Sequence, residues 1–408
     1  MINLLFSLSM SFAFWASTLS GNQTQIQSTI NLGQWYEGDP IFSPVEFLSI
    51  VTTPNNTGTY VLAGDIDFSS IDVSSWTDNA EVVFSGSFDG NGYAIKNLSK
   101  NNIRGIFGVL EGATIKNLTI ENTNLTYSPT AAITSGILAG RIQGTNNLIE
   151  NITIKNSSMT NSYPVGSIAG LIQPAAGSST TVTGTIRNIK VDGATLTGGF
   201  NDVTYGSGGI VGTLNNANFT MEDLYFRGTI SASVTTNIGG ILGSTLTTGT
   251  VVINRAVVFA DLINTASSTA TTYGVGGIIG RNSGSARANH TFFTGFLRSR
   301  VVSPSTNSWT SQSGILRGTT TGNAVIFTNS RSAQITLYRN TTNTQVAVTN
   351  QTSYDRMTGQ KTAYTTLVYR NLRDDSLEIW WLDNFSTITN SPLWIYDPTI
   401  DIYILKDN

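Results

Sequence analysis

The stretch Gly239-Gly240-Ile241-Leu242-Gly243 decides the fold, because close copies of it recur between residues 104 and 318. Each copy sets at least one large apolar residue between small ones, and the copies occupy residues 104–108, 135–140, 166–170, 208–212, 276–280 and, more loosely, 313–318. Their closing glycines lie 30 (Gly140 to Gly170) to 42 (Gly170 to Gly212) residues apart. A supersecondary unit recurring at such distances is typical of a solenoid or a blade-type array. The small residues allow successive backbones to approach closely or to turn sharply.

Composition favours stacked strands over long helices and excludes several classes of function. The chain has 408 residues, which exceeds one compact core but suits an elongated solenoid. Only 12% of the residues are charged, about half the usual share. The net charge of −3 gives no basic footprint for nucleic acid. Since cysteine is absent, disulfides, thiolate metal sites and cysteine nucleophiles are excluded.

The N-terminus predicts export from the cell. Residues 4–16 form an apolar run that is short for a membrane span, and small residues such as Ser17 and Gly21 follow it. This pattern predicts a signal peptide over residues 1–20, and the alternative is an apolar strand or a membrane anchor. No second apolar segment of spanning length follows, so we expect no membrane span after cleavage. The predicted location is secreted, extracellular or on the cell surface.

Each glycine motif is followed by a strand whose apolar residues alternate, for example Ile149-Glu150-Asn151-Ile152-Thr153-Ile154. Alignment of these units produces a charged column made of Lys96, Lys116, Glu150, Arg187 and Glu222. The next column consists of Asn97, Asn117, Asn151, Asn188 and Asp223. We interpret the first as neighbouring opposite charges that favour strand register, and the second as an asparagine ladder at a bend of the chain.

These patterns divide the chain into four parts. Residues 1–20 are the signal peptide, 21–58 an N-terminal cap, 59–338 the solenoid repeats and 339–408 a C-terminal cap. An open solenoid end exposes strand edges, which makes caps necessary. The aromatic tail from Leu377 to Leu405 is expected to fold over the last coil.

The chain resembles bacterial and protist surface proteins that carry the GLUG motif, a glycine, leucine or isoleucine, hydrophobic residue, glycine repeat. The resemblance rests on residues 60–68 and 84–98, on the glycine motifs, and on residues 357–360 with Trp380 and Pro392-Leu393. The resemblance implies an extracellular β-solenoid, often adhesin-like, and says more about shape and location than about chemistry.

Few residues suggest catalysis. A polysaccharide lyase or hydrolase needs paired carboxylates or carboxylate-bound calcium. Asp65, Asp67 and Asp89 form the best cluster, but turn-forming aspartates explain them more simply. The pair Glu222-Asp223 falls in the two columns and is interpreted as structural. The segment Arg373-Asp374-Asp375 is interpreted as a solvated turn.

Two further kinds of residue were candidates for function. His290 is the only histidine, and without a serine elbow it supports no catalytic triad. Trp380 and Trp381, as strand neighbours, must point to opposite faces, so one could stack on a sugar. An exposed Trp381 or Trp309 would favour a carbohydrate-binding module, whereas packing in the cap explains the same tryptophans.

The sequence therefore predicts an all-β, right-handed parallel β-helix with capped ends. The favoured function is a secreted or cell-surface adhesin-like protein that binds a glycan or a surface protein without catalysis. The alternatives are a carbohydrate-active β-helix enzyme and a carbohydrate-binding module. We expect no catalytic, cofactor-binding or metal-binding residues and no cofactor.

Overall fold

The computed structural model describes residues 36–407, apart from 78, 129–133, 203, 247, 267–272, 300–312, 315, 321–324, 340–343, 347–367, 371–385 and 401. Residues 37–408 form one compact unit, and residues 1–36 form another, of which only Tyr36 is described. The fold below is that of the larger unit.

Most described strands belong to one sheet that contains the long repeats. Its eighteen strands are β1 (Asp39–Ile41), β2 (Thr59–Leu62), β3 (Ile66–Asp67), β5 (Ser87–Asp89), β6 (Ala94–Lys96), β7 (Ser99–Asn101), β9 (Thr114–Glu121), β10 (Asn124–Tyr127), β13 (Asn147–Lys155), β14 (Ser158–Asn161), β17 (Val182–Gly198), β20 (Ala217–Ala232), β23 (Thr250–Asn264), β26 (Ser285–Ser299), β29 (Ile326–Thr328), β30 (Arg331–Arg339), β31 (Thr344–Val346) and β32 (Val368–Arg370). The pairs β9–β13, β13–β17, β17–β20, β20–β23 and β23–β26 are all parallel, and each joins one repeat to the next.

A second sheet takes one strand from each repeat, and from β8 onward each of its strands begins within the last residues of a glycine motif. It stacks, in parallel, β4 (Val83–Phe84), β8 (Phe107–Glu111), β12 (Ala139–Gln143), β16 (Ala169–Ile172), β19 (Val211–Leu214), β22 (Leu242–Thr245), β25 (Ile279–Asn282) and β28 (Arg317–Thr320). Eight strands at about 4.8 Å per step extend over roughly 34 Å. This coiling of parallel strands confirms the predicted β-solenoid.

Short strands inside the glycine motifs complete the coils. They form a pair, β11 (Ser135–Gly136) and β15 (Val165–Gly166), and a four-stranded sheet of β18 (Gly206–Gly208), β21 (Asn237–Gly239), β24 (Val275–Gly276) and β27 (Ser313–Gly314). A Cβ atom on Gly240 would lie 2.1 Å from the carbonyl oxygen of Gly277, and one on Gly209 would lie 2.0 Å from that of Gly240. The motif therefore consists of small residues because the backbones of successive coils are in contact there, as the sequence predicted.

The core is a continuous apolar interior that the inward-facing residues of all coils share. Ile115, Ile149, Ile186, Met221 and Ile253 occupy equivalent positions on paired strands, and all are fully buried. Such a column gives each coil a neighbour on both sides, so stability arises between coils and not within one.

The helix α1 (Pro44–Thr52) lies before the first coils and closes part of this core. Ser43 caps the helix with its side chain, and Glu46 completes the capping box. Phe47 is fully buried and meets the ring of Phe68 at 6.2 Å and that of Phe88 at 5.7 Å, measured between ring centroids. The N-terminal segment thus contributes apolar side chains to the interior of the solenoid.

The described end of the C-terminal segment does not lie where the sequence placed it. Its described part, Ser386 to Asp407 without 401, contains helix α2 (Ser386–Thr389) and a hairpin of β33 (Trp394–Asp397) and β34 (Ile402–Leu405). We name this part the strap. Instead of covering the last coil, it packs against outward-facing Tyr225, Val257 and Phe292 on the side of the solenoid. These three residues create an apolar stripe, which a segment capping the end of the stack would leave in water.

Candidate functional site

The predicted asparagine ladder exists, and it lies at a corner of the coil. Asn117, Asn151 and Asn188 all have positive φ angles of 52–55°, a left-handed conformation that asparagine tolerates better than most residues. The side-chain amide of Asn188 donates to Asn151 at 2.8 Å, and that of Asn151 donates to Asn117 at 2.8 Å. The amide of Asn117 donates in turn to Asp89 at 3.0 Å.

The prediction was wrong about one member of each column. Lys96 pairs with Glu121 and not with Lys116, so Lys96 and Asn97 belong to a second corner of the coil. Asp89 pairs with Lys116 instead. The sequence motif Ile95-Lys96-Asn97-Leu98 imitates the first corner, and Gly90 stands where the ladder would have its asparagine. Because Gly90 occupies this position, the sequence pattern did not indicate the correct register.

Alternating charges run along both corners. In the first, Asp89, Lys116, Glu150, Arg187 and Glu222 occupy consecutive paired strands, and Arg187 contacts Glu150 at 2.5 Å. The second column was missed by the sequence analysis, and its members are Asp67, Lys96, Glu121, Lys155, Asp192 and Arg227. A signal was present, since a charge lies five residues after each charge of the first column from Lys116 to Glu222. Like charges directly opposite each other would destabilise the pairing of these strands.

The three aspartates near the first coils serve as structural acceptors. Asp65 contacts Lys96 at 2.5 Å and accepts from the backbone of Ala94 at 2.9 Å. Asp67 accepts from the backbone of Ser69 and from the amide of Asn97. Because these donors favour the ionised form, the pKa values of Asp65 and Asp67 lie below the ordinary range.

Asp89 follows the same pattern and belongs to the ladder. It accepts from the backbone of Asn91 at 2.8 Å and pairs with Lys116 at 3.2 Å, in addition to its bond from Asn117. The structure therefore supports the interpretation of these aspartates as turn formers. Among the described residues, His, Asp and Glu side chains do not gather into a group of three that could hold a metal ion.

At Asp223 a carboxylate takes the place of the asparagine amide in the ladder. It keeps the positive φ angle of the corner, but its carboxylate accepts two hydrogen bonds from Arg255 at 2.7 and 2.8 Å. The buried indole N–H of Trp394 donates to the same carboxylate at 2.9 Å. Hydrogen bonding to Asp223 raises the pKa of Arg255. Asp223 thereby joins two coils to the strap.

His290 follows Arg255 in this corner, with a positive φ angle of 55°. Its position in the column is explained by the repeat. The structure places it among residues that form the corner of each coil. The remaining candidates, Arg373-Asp374-Asp375, Trp309, Trp380 and Trp381, lie outside the described residues.

A groove of about 380 Å³ opens beside the first corner, between the ladder and the strap. Its lining consists of Glu150, Asn151, Arg187, Asn188, Glu222, Asp223 and Leu393. Arg187 keeps 52% of its side chain exposed, whereas Glu150 keeps 17%. Charged and amide side chains thus meet one apolar side chain in an open, mostly polar groove. Several of these residues belong to the two predicted columns, for which the sequence indicated only structural roles.

The strap is held at two points along its length, Trp394 and Asp407. Trp394 is almost fully buried and bonds to Asp223, while Asp407 contacts Lys155 at 2.9 Å and Lys190 at 2.6 Å. Burial opposes the ionisation of Asp407, but the two lysines hold its pKa below the ordinary value. The strap therefore crosses several coils and forms one wall of the groove.

Comparison with known proteins supports the fold. A crystal structure of a "putative immunoglobulin A1 protease" from Bacteroides ovatus matches with a TM-score of 0.53 and 17% identity, covering 90% of this chain and 92% of that one. At this identity the match supports the architecture alone. Halomucin from Haloquadratum walsbyi (strain DSM 16790 / HBSQ001) is 36% identical over 98 residues, which are 21% of this chain and 1% of Halomucin.

The chain thus spans a very small part of that relative. No family model matches the chain, so the GLUG motif remains a resemblance. Neither described helix has the length and apolar character needed to cross a bilayer.

Proposed function

We propose that this protein is a secreted or cell-surface, adhesin-like β-solenoid that binds a glycan or a protein partner without catalysis. The observation that carries the proposal is the groove beside the strap, which combines open polar side chains with an apolar wall. A rigid stack of coils beneath it would hold these side chains in place at little entropic cost on binding.

The chemistry of the aspartates named as catalytic candidates supports binding over catalysis. A glycosidase needs one carboxyl group with a raised pKa to act as an acid. Asp65 and Asp67 instead have lowered pKa values. Asp223 is held by a guanidinium and an indole. The predicted signal peptide and the partial similarity to Halomucin agree with an extracellular location.

The test is to measure binding of the purified full-length chain to an array of glycans, with product release assayed on the same sugars. Saturable binding without product is expected. Turnover would overturn the proposal, and Asp65, Asp67 and Asp89 would then be the first residues to substitute. The absence of both signals would leave the glycan arm without support and direct the search to protein partners.

A further inference from the structure

The charge of the groove restricts what it can bind. Three carboxylates, those of Glu150, Glu222 and Asp223, line the groove with the guanidinium of Arg187. A second guanidinium, that of Arg255, pairs with Glu222 and Asp223 beside the lining, so these groups together carry an excess of one negative charge. An anionic ligand would have to approach this excess of negative charge and give up its water, which is unfavourable. A neutral or amino-bearing ligand meets no such penalty.

The floor of the groove can still form hydrogen bonds. An amide has two N–H donors and an oxygen with two lone pairs. Asn151 uses one donor on Asn117 and one lone pair on Asn188, so its amide retains capacity for a ligand. Glu150 and Glu222 add carboxylate oxygens that accept strong bonds from hydroxyl or ammonium groups.

The strap supplies the opposite kind of contact. Leu393 is the one apolar side chain in the lining, and it precedes Trp394, which is anchored on Asp223. A sugar ring has C–H faces and a rim of hydroxyl groups, so it can meet an apolar wall and a polar floor together. The volume, about 380 Å³, is in the range of small-ligand sites.

We propose that the groove between the ladder and the strap binds a neutral or amino-bearing sugar unit, with Leu393 against its C–H face and Glu150 and Asn151 on its polar rim. This inference rests on the proposed function, because it names the ligand class and the location of the adhesive site. It also makes the strap part of the binding site.

The experiment compares neutral, amino-bearing and anionic oligosaccharides on the full-length chain and on two groove variants, Glu150→Gln and Leu393→Ala. Each variant is expected to weaken binding of neutral or amino-bearing sugars roughly tenfold, which is the loss of one good contact. The matched control is Asp192→Asn, which breaks the equivalent pair with Arg227 (2.6 Å) in the second charged column, away from the groove. Circular dichroism on every variant confirms that the fold is retained.

The outcomes separate this inference from the proposed function. Binding that survives both groove variants, or that favours anionic sugars, would overturn the groove assignment and leave the adhesive function in place. Loss of binding in Asp192→Asn as well would mean that the coils and not the groove were disturbed, which also counts against the assignment. Failure of every sugar to bind would overturn the groove assignment and the glycan arm of the proposed function, and would leave the protein-partner arm.

Discussion

Asn151 shows how one polar side chain holds a corner of the coil. It adopts a φ angle of 55°, donates to Asn117 in one neighbouring coil and accepts from Asn188 in the other. The residue is thus selected for two properties at once, a tolerance of the left-handed region and an amide that can donate and accept.

Substitution of Asn151 separates these two properties. Asn151→Ala loses two hydrogen bonds, at about 1 kcal/mol each, and strains the left-handed backbone by about 1–2 kcal/mol. Asn151→Gly loses the bonds but relieves the strain, so it should cost less, about 2 kcal/mol. Chemical denaturation of both variants measures the difference. Equal losses would mean that the conformation of the corner contributes nothing.

The glycines of the motif hold the coils together through their lack of a side chain. A Cβ atom on Gly240 would lie 2.1 Å from the carbonyl oxygen of Gly277 and 2.6 Å from a methyl group of Val258. Because backbone atoms cannot move aside cheaply, Gly240→Ala should lower the free energy of unfolding by about 3 kcal/mol. Gly64→Ala, whose Cβ atom would meet nothing within 4 Å, is the control and should change stability little. Thermal unfolding of the two variants decides the matter.

At the scale of elements, the strap is the feature that departs most from a plain solenoid. An outward column carries Thr119, Thr153 and Lys190 and then becomes apolar at Tyr225, Val257 and Phe292, where the hairpin packs against it. Burial raises the pKa of the Tyr225 hydroxyl, so this residue stays neutral under the strap. One element therefore converts a solvent-facing column into a second small core.

The end of the strap is expected to respond to acid. Since the pKa of Asp407 is lowered by Lys190 and Lys155, its ion pairs stabilise the docked strap above about pH 3.9, the ordinary value, and are lost as the pH falls further. The chain has no cysteine, so cysteines introduced at Lys406 and Glu121 can carry spin labels. The distance between the labels should stay short at pH 6 and lengthen below about pH 3.9.

Asp407→Asn provides the control for this prediction. It removes the charge without changing the size of the side chain, so the labels should already be farther apart at pH 6. An unchanged distance in this variant, or a distance that does not respond to acid, would mean that Trp394 and the apolar contacts alone hold the strap.

At the scale of the whole molecule, the strap keeps an apolar stripe out of water. A chain that ends before Ser386 should keep its solenoid, by circular dichroism, but associate through the uncovered Tyr225, Val257 and Phe292. Light scattering would detect the larger species. Replacing the three residues with threonine, as at Thr119 and Thr153, should prevent this association. Association that persists in this variant would mean that a surface other than the apolar stripe causes it.

The architecture could be predicted from the sequence because the same motifs occur in many coils of the solenoid. Each glycine motif and each Ile-x-Asn-x unit supports the others, so errors in one coil do not change the fold class. The register near the first coils could not be predicted, since Gly90 replaces an asparagine and Lys96-Asn97 copies the pattern one strand too late. The resemblance of Lys96-Asn97 to the later corners therefore indicated the wrong strand as the first member of the column.

The groove and the strap were harder to predict, because they join residues about 170 positions apart. A partial signal existed in the outward position of three successive coils, where Tyr225, Val257 and Phe292 replace the polar residue of a half-buried strand. Three apolar residues at one outward position indicate a cover, but they do not say which segment supplies it. Only the structure could show that Trp394 reaches Asp223.

The alternating corners also limit how such a chain can change its length by genetic insertion or deletion. Excision of the single coil that carries Arg187 would set Glu150 beside Glu222, two carboxylates on adjacent strands. Excision of two coils would keep opposite charges adjacent along the column. Between Asp89 and Glu222 the charge pattern thus disfavours the loss of an odd number of coils relative to an even number.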